Sequence, residues 1–255
     1  MKKLIPVTCF FAVLLLVVTG CIKSVANDKH FYNNTSFHSR APGASARDFL
    51  SDTIYNSLVV EIQYMKGIEP DEEALGYLRS FLMKHLRKPG GITMVKKQID
   101  SQSHALTREA VISLEKQNRE HFTNAATLTM YLLYANGSHL DTNLLGMAYR
   151  NTSTVIFGKQ IMQNSNMEGK PSRTQLEASV LLHEAGHLLG LINPKKKGAK
   201  SHDDDEHPGH CKNRNCLMYH AIDVEDKFSL IRIRANIPKL DRNCLAMIKA
   251  NGGKL

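Results

Sequence analysis

The sequence predicts a mixed α/β (α+β) domain: a twisted sheet with helices packed against it. Three observations predict this. From residue 49 onward, stretches with strand-like apolar patterning alternate with stretches of helical spacing. Apolar residues make up 42% of the chain and charged residues 22%, the balance of a soluble globular protein. The chain beyond residue 48 is long enough to bury one sizeable core, so a single domain over residues 49–255 is expected.

Taken in order, Leu58 to Met65 reads as a strand. Asp71 to Arg87 reads as a helix. Acidic residues open it, Leu75, Leu78, Leu82 and Leu86 keep helical spacing, and Pro89-Gly90-Gly91 stops it. Ile92 to Ile99 is a second strand and Thr107 to Phe122 a second helix. Thr127 to Ala135 is a strand ending at the turn signal Asn136-Gly137. Leu144 to Tyr149 and Thr154 to Lys159 form a hairpin. Thr174 to Ile192 is the best-marked helix. Thr174-Gln175-Leu176-Glu177 fits a capping box, and Ala178, Leu181, Ala185, Leu188 and Ile192 make one apolar face. His183 and His187 fall on a different face.

The N-terminus has an export pattern. Lys2 and Lys3 precede Val7 to Thr19, thirteen uncharged and mostly apolar residues, too short to span a bilayer. Val18-Thr19-Gly20-Cys21 resembles the lipobox of bacterial lipoproteins. That resemblance implies a signal peptide over residues 1–20, acylation of Cys21, and a lipid-anchored membrane lipoprotein of the cell envelope, at the outer membrane or cell surface. Residues 21–48 are polar and aperiodic and read as a flexible tether. The formal charge of +9 raises nucleic acid as a partner. The basic residues are scattered, however, and Lys195-Lys196-Lys197 reads as a solvated loop, so no nucleic-acid partner is expected.

Chemistry concentrates in His183-Glu184-Ala185-Gly186-His187. Histidines four apart on a helix share a face and can reach one Zn²⁺ at ~2.0–2.1 Å. Glu184 lies beside them, where a carboxylate can act as general base toward water at that metal. The expected partner is therefore a peptide or protein substrate, and the expected cofactor is one catalytic zinc. A catalytic zinc needs a third protein ligand.

His183 to Leu191 resembles the metzincin clan of zinc peptidases, in which a third histidine follows three residues after the helix-ending glycine. That position here is Asn193, a departure from the pattern. Further on, His210-Cys211-Lys212-Asn213-Arg214-Asn215-Cys216-Leu217-Met218-Tyr219 resembles the archaemetzincins. Both segments, in this order, also resemble bacterial lipoproteins described as membrane metalloproteases. The resemblance covers residues 174–219. It implies a zincin fold with the active-site helix below the sheet, then a C-terminal subdomain with a Met-turn at Met218 and a terminal helix. It also implies His210 as third ligand, with residues 193–209 as an insertion, and Glu184 as the catalytic residue.

His207 is the alternative third ligand, since His207-Pro208-Gly209-His210 puts two imidazoles near one site. His202 and Glu206 are further candidates, although no helical pattern surrounds Glu206. The run His202 to Glu206 offers hard oxygen ligands that could hold Ca²⁺; a solvated acidic loop is the plainer reading. In the archaemetzincins the cysteines matching Cys211 and Cys216 join a later pair at a structural zinc. Only Cys244 follows here, so a four-thiolate site cannot form. A Cys211–Cys216 disulfide is expected, with Cys244 pairing to one of them as the rival. If the fold is shared, an extended substrate pairs with an edge strand within Leu144 to Tyr149, and residues 221–228 form the specificity wall. Two other readings stay open: an inactive zincin-fold lipoprotein that binds a partner or metal, and a metal scavenger, suggested by six of the 12 histidines lying between His183 and His220.

Overall fold

The computed structural model describes residues 36–101, 105–140, 144–191, 202–222 and 227–255, the side chains of 227–229 excepted. The export segment 1–20, the lipidation residue Cys21, Asn193 and most of its insertion lie outside the described residues. Residues 36–48, expected in the tether, are folded. A short 3-10 turn (Phe37–Ser39) and helix α1 (Ala46–Leu50) bury His38, Ala46, Phe49 and Leu50. The tether reading failed there because these few apolar residues are spaced too sparsely to show a period.

Among the described residues, five strands form one mixed sheet: β1 (Ser57–Met65), β2 (Ile92–Ile99), β3 (Thr127–Ala135), β4 (Gly146–Arg150) and β5 (Ser153–Phe157). Their order is β2-β1-β3-β5-β4. The pairs β1/β2, β1/β3 and β3/β5 are parallel, while β4 runs antiparallel to β5 at the sheet edge. The first three strands are parallel because helices connect them. These are α2 (Glu72–His85), capped by the Asp71 carboxylate on the N–H of Ala74, and α3 (Arg108–Asn118), capped by Thr107.

Both sheet faces are covered, which is why β3 is buried along nearly its whole length rather than alternating. Leu128, Met130, Leu132 and Tyr134 face one core, with α2 and the long helix α5 (Arg173–Leu188). Tyr131, Leu133 and Ala135 face a smaller core with Val111 and Leu114 of α3. After β5 comes α4 (Gly158–Gln163) and then α5, while α6 (Lys227–Ala235) and the terminal α7 (Arg242–Ala250) close the C-terminal part.

α5 starts two residues before the expected capping box. Ser172 is the N-cap: its hydroxyl accepts from the Gln175 N–H, and the Gln175 side chain accepts from the Ser172 N–H. Thr174 and Glu177 instead bind the start of α2. The Thr174 hydroxyl donates to the Asp71 carboxylate, and the Asp71 N–H donates to Glu177. The helix ends at Leu188, because Gly190 adopts φ +71°, and a side chain there would meet Ala46 at 2.6 Å. α5 therefore lies locked between α2 and the sheet, under the edge strand β4.

Candidate metal centre

Because α5 is fixed, one helical turn sets the spacing of its histidines. The Nε2 atoms of His183 and His187 are 3.0 Å apart. Two ligand nitrogens on one tetrahedral zinc stand ~3.3 Å apart, so the pair already has the required span. The Nδ1–H of His183 donates to the Leu217 carbonyl at 2.8 Å. A carbonyl can only accept, so this bond places the proton on Nδ1 and leaves the Nε2 lone pair toward His187. Burial pushes the His183 pKa down to about 4. Burial, with His183 and His210 alongside, holds His187 well below the usual range. Both imidazoles are thus neutral near pH 7, the form that binds a metal.

His210 completes the group. Its ring centroid lies 5.3 Å from His183 and 5.1 Å from His187, and ligand atoms of all three fall within 4.8 Å of one another. The backbone delivers it there. The Asp204 N–H donates to the His210 carbonyl, the His210 N–H to that of His207, and the Cys211 N–H to that of Met218. His207, the alternative third ligand, turns away to Asp204 and His220 instead.

Glu184 is fully buried. Its carboxylate lies against Gly146 of β4, where an added Cβ would meet Oε1 at 3.0 Å and Val180 at 2.6 Å. Glycine at 146 therefore lets the edge strand close over the helix. Met218 packs from the other direction, its sulfur 2.3 Å from where a Cβ on Gly186 would stand. The sequence reading found the histidines, Glu184 and Met218, but not the two glycines, whose role is close approach.

Behind this centre lies a second group, of which the sequence reading named the three cysteines but not Asp241. Cys211, Cys216 and Cys244 are free thiols, and no disulfide joins Cys211 to Cys216. The three sulfurs gather with Asp241, all ligand atoms within 4.8 Å. Cys216 and Cys244 sulfurs are 3.5 Å apart, and Cys211 lies 3.6 Å from the Asp241 carboxylate. Hydrogen bonding from Cys211 and Cys244 draws the Cys216 thiol down to about 3, and the same contact pushes Cys211 up to about 12. The cluster thus readily gives up one proton. Asp241 also caps α7 through the Cys244 N–H. The spacing Asp241-Arg242-Asn243-Cys244 marks Asp241 as an N-cap three residues before a cysteine, but shows only the cap and not its contact with Cys211.

The acidic run 202–206 forms no oxygen cage among the described residues. Of Asp203 to Glu206 only Asp204 joins a group of candidate ligands, and its companions are imidazoles. That donor set does not suit calcium. No helix among the described residues is long and apolar enough to cross a membrane.

No protein-family model and no curated protein matches the chain. Solved structures do. Archaemetzincin from Methanopyrus kandleri superposes with a TM-score of 0.50 at 15% identity, covering 77% of this chain and 96% of that one. Metalloproteinase-II from Bacteroides fragilis gives a TM-score of 0.44 at 13% identity, covering 79% of this chain and 55% of that protein. The five-stranded mixed sheet with its helices is thus the archaemetzincin-like zincin fold.

Proposed function

We propose that this protein is a zinc-dependent endopeptidase, held at the bacterial cell envelope by acylation of Cys21. One observation carries the catalytic reading: three imidazoles, His183, His187 and His210, converge beside the buried carboxylate of Glu184. The donor set fits zinc, as three nitrogen ligands that leave a fourth position open. Zinc there would polarise the scissile carbonyl and acidify a water molecule.

The chain's own groups do the rest. Glu184 takes the proton from the attacking water and passes it to the leaving amine nitrogen. The Leu217 carbonyl keeps the His183 proton on Nδ1 and so orients its ring. The antiparallel edge strand β4, beside Glu184, offers its free edge to an extended peptide. Main-chain pairing of this kind aligns many sequences, which suits a peptidase of broad substrate range. Cys211, Cys216, Cys244 and Asp241 would hold a second, structural zinc; three sulfurs and one oxygen complete a closed tetrahedral site.

The test is hydrolysis of a pool of quenched peptides by the zinc-loaded full chain in detergent, beside Glu184→Gln. The variant keeps the shape of the side chain and loses the base. We expect its turnover to fall by roughly 10²–10⁴-fold with zinc content unchanged. Equal cleavage by both proteins, or none by the wild type with zinc bound, would reject the peptidase reading.

A further inference from the structure

A third cluster lies outside both groups above. Asp204 and His207 stand in the loop before His210, and His220 opens the 3-10 turn His220–Ile222 just after Met218. Their ligand atoms lie within 4.8 Å of one another. We propose that Asp204, His207 and His220 form a further divalent-metal site of the zinc class, which clamps the loop carrying His210 to the turn after Met218.

The geometry of Asp204 is the first argument. Its Oδ1 accepts the N–H groups of Glu206 at 3.0 Å and His207 at 3.2 Å, which fixes the carboxylate in a local turn. Its Oδ2 is thereby aimed at both imidazoles, 3.0 Å from His207 Nδ1 and 3.4 Å from His220 Nδ1. Those separations bracket the ~3.3 Å between two ligand atoms on a tetrahedral zinc.

The rings supply the second argument. His207 and His220 are parallel within 7° and their centroids are 3.4 Å apart. Both rings present Nδ1 to the same oxygen, Asp204 Oδ2, which lies within 3.4 Å of each. A divalent cation held between these three atoms would be shared by both rings and the carboxylate.

The donor set is the third. Two imidazole nitrogens and one carboxylate oxygen suit zinc or a neighbouring transition metal and not calcium or magnesium. All three residues are partly exposed, so an ion can enter and water can complete its coordination.

Position gives the site its consequence. The ring of His220 lies 6.4 Å from that of His210. The Asp204 N–H donates to the His210 carbonyl, and the His210 N–H to that of His207. An ion on Asp204, His207 and His220 therefore fixes both ends of the segment that presents the third imidazole of the main centre. The site does not depend on the peptidase reading: a non-catalytic protein with this loop would hold the same ion.

The experiment is a metal count on the full chain in detergent, equilibrated with zinc and freed of loosely held ions. Asp204→Asn is the primary variant. An amide oxygen still accepts the two N–H groups of the local turn, so the fold is kept while the anionic ligand is lost. His207→Gln, at a side chain 42% exposed, is the second. His183→Ala reports on the main centre separately. We expect Asp204→Asn and His207→Gln each to bind one zinc fewer than the wild type. His183→Ala should also bind one fewer, and the Asp204→Asn/His183→Ala protein two fewer. Wild-type counts in both loop variants would overturn the proposal and leave a hydrogen-bonded His–Asp–His clamp. A double variant lacking only one ion would overturn it too, because the two sets would then share a single metal. Failure of the peptidase reading shows instead in hydrolysis and in the Glu184→Gln comparison.

Discussion

Gly186 sits in the last turn of α5, between the two helix histidines. Gly76 sits in the middle of α2. Substituting alanine at each separates intrinsic helix preference from the Met218 contact. Alanine is ~0.8–1.0 kcal/mol better than glycine inside a helix. At Gly76 an added Cβ meets nothing within 4 Å, so the whole of that gain should appear. At Gly186 the same methyl would stand 2.3 Å from the Met218 sulfur and 3.1 Å from its terminal carbon, well inside the ~3.5–4.0 Å of an ordinary carbon contact. Met218 has little room to yield. It is fully buried, its carbonyl accepts from Cys211 at 2.7 Å, and its N–H donates to the Cys216 sulfur. Overpacking of this kind costs ~1–3 kcal/mol. Gly186→Ala should thus be ~0–2 kcal/mol less stable than wild type, and Gly76→Ala ~1 kcal/mol more stable. The assay is urea unfolding of chelator-treated protein, read by far-ultraviolet circular dichroism, since the chain has no tryptophan. With a slope of ~2 kcal/mol per molar urea, Gly76→Ala should move the midpoint up by ~0.5 M. If Gly186→Ala rises as far as Gly76→Ala, Met218 does not pack under the helix, and the account of this turn is wrong.

Two further predictions concern stability. The Nδ1–H of His38 donates to the Thr152 hydroxyl at 2.7 Å, and its Nε2 accepts from the Thr123 N–H at 3.2 Å. Burial, reinforced by Arg119, Arg40 and Arg150, lowers its pKa to about 2. The folded pKa lies below the unfolded one, so the unfolded state takes up the proton first. The His38 contribution is complete above about pH 6.5 and is lost as pH falls toward 2, at up to ~1.4 kcal/mol per pH unit. His38→Gln should therefore show a shallower loss of stability than wild type between about pH 6 and 4, measured by urea midpoints at each pH. Parallel curves would mean the imidazole is not buried neutral. Asp71→Ala removes the cap of α2 and the acceptor of the Thr174 hydroxyl together. We expect a loss of ~2 kcal/mol, about half of it from the cap, with Thr174→Val giving the other half alone. A change in thermal stability within error of wild type for Asp71→Ala would show that this junction does not tie α2 to α5.

How much was legible depended on how local each signal was. β2 and β3 coincide with the expected segments, because bounded runs of branched and aromatic residues are read directly as strands. His183, Glu184 and His187 needed only helical spacing. The start of α5 was misjudged since Ser172-Arg173-Thr174-Gln175 and Thr174-Gln175-Leu176-Glu177 both fit a capping box, and the choice was made by Asp71, 103 residues away in sequence from Thr174. Asp241 was overlooked for a similar reason. Its side chain caps a helix, and nothing within the local sequence shows that its second oxygen meets Cys211. His207 and His210 could not be separated by spacing. Three residues apart, they point to different clusters because the chain turns between them, with Gly209 at φ +94° and the His210 N–H on the His207 carbonyl.

The same backbone logic explains why the histidine centre and the cysteine cluster sit back to back. Cys211 is held in a β-bridge with Asp203, and its N–H donates to the Met218 carbonyl. From adjacent positions, His210 joins His183 and His187 of α5, while Cys211 joins Asp241 and Cys244. The return segment repeats the arrangement. Cys216 pairs alongside Lys239, the Leu217 N–H donates to the Lys239 carbonyl, and the Leu217 carbonyl receives the proton of His183. Leu217 is accordingly the mechanical link. Whatever fixes Cys216 against Cys244 also fixes the carbonyl that sets the tautomer and aim of His183. The cysteine cluster needs no contact with substrate to matter, because it holds the segment from which His183 takes its orientation.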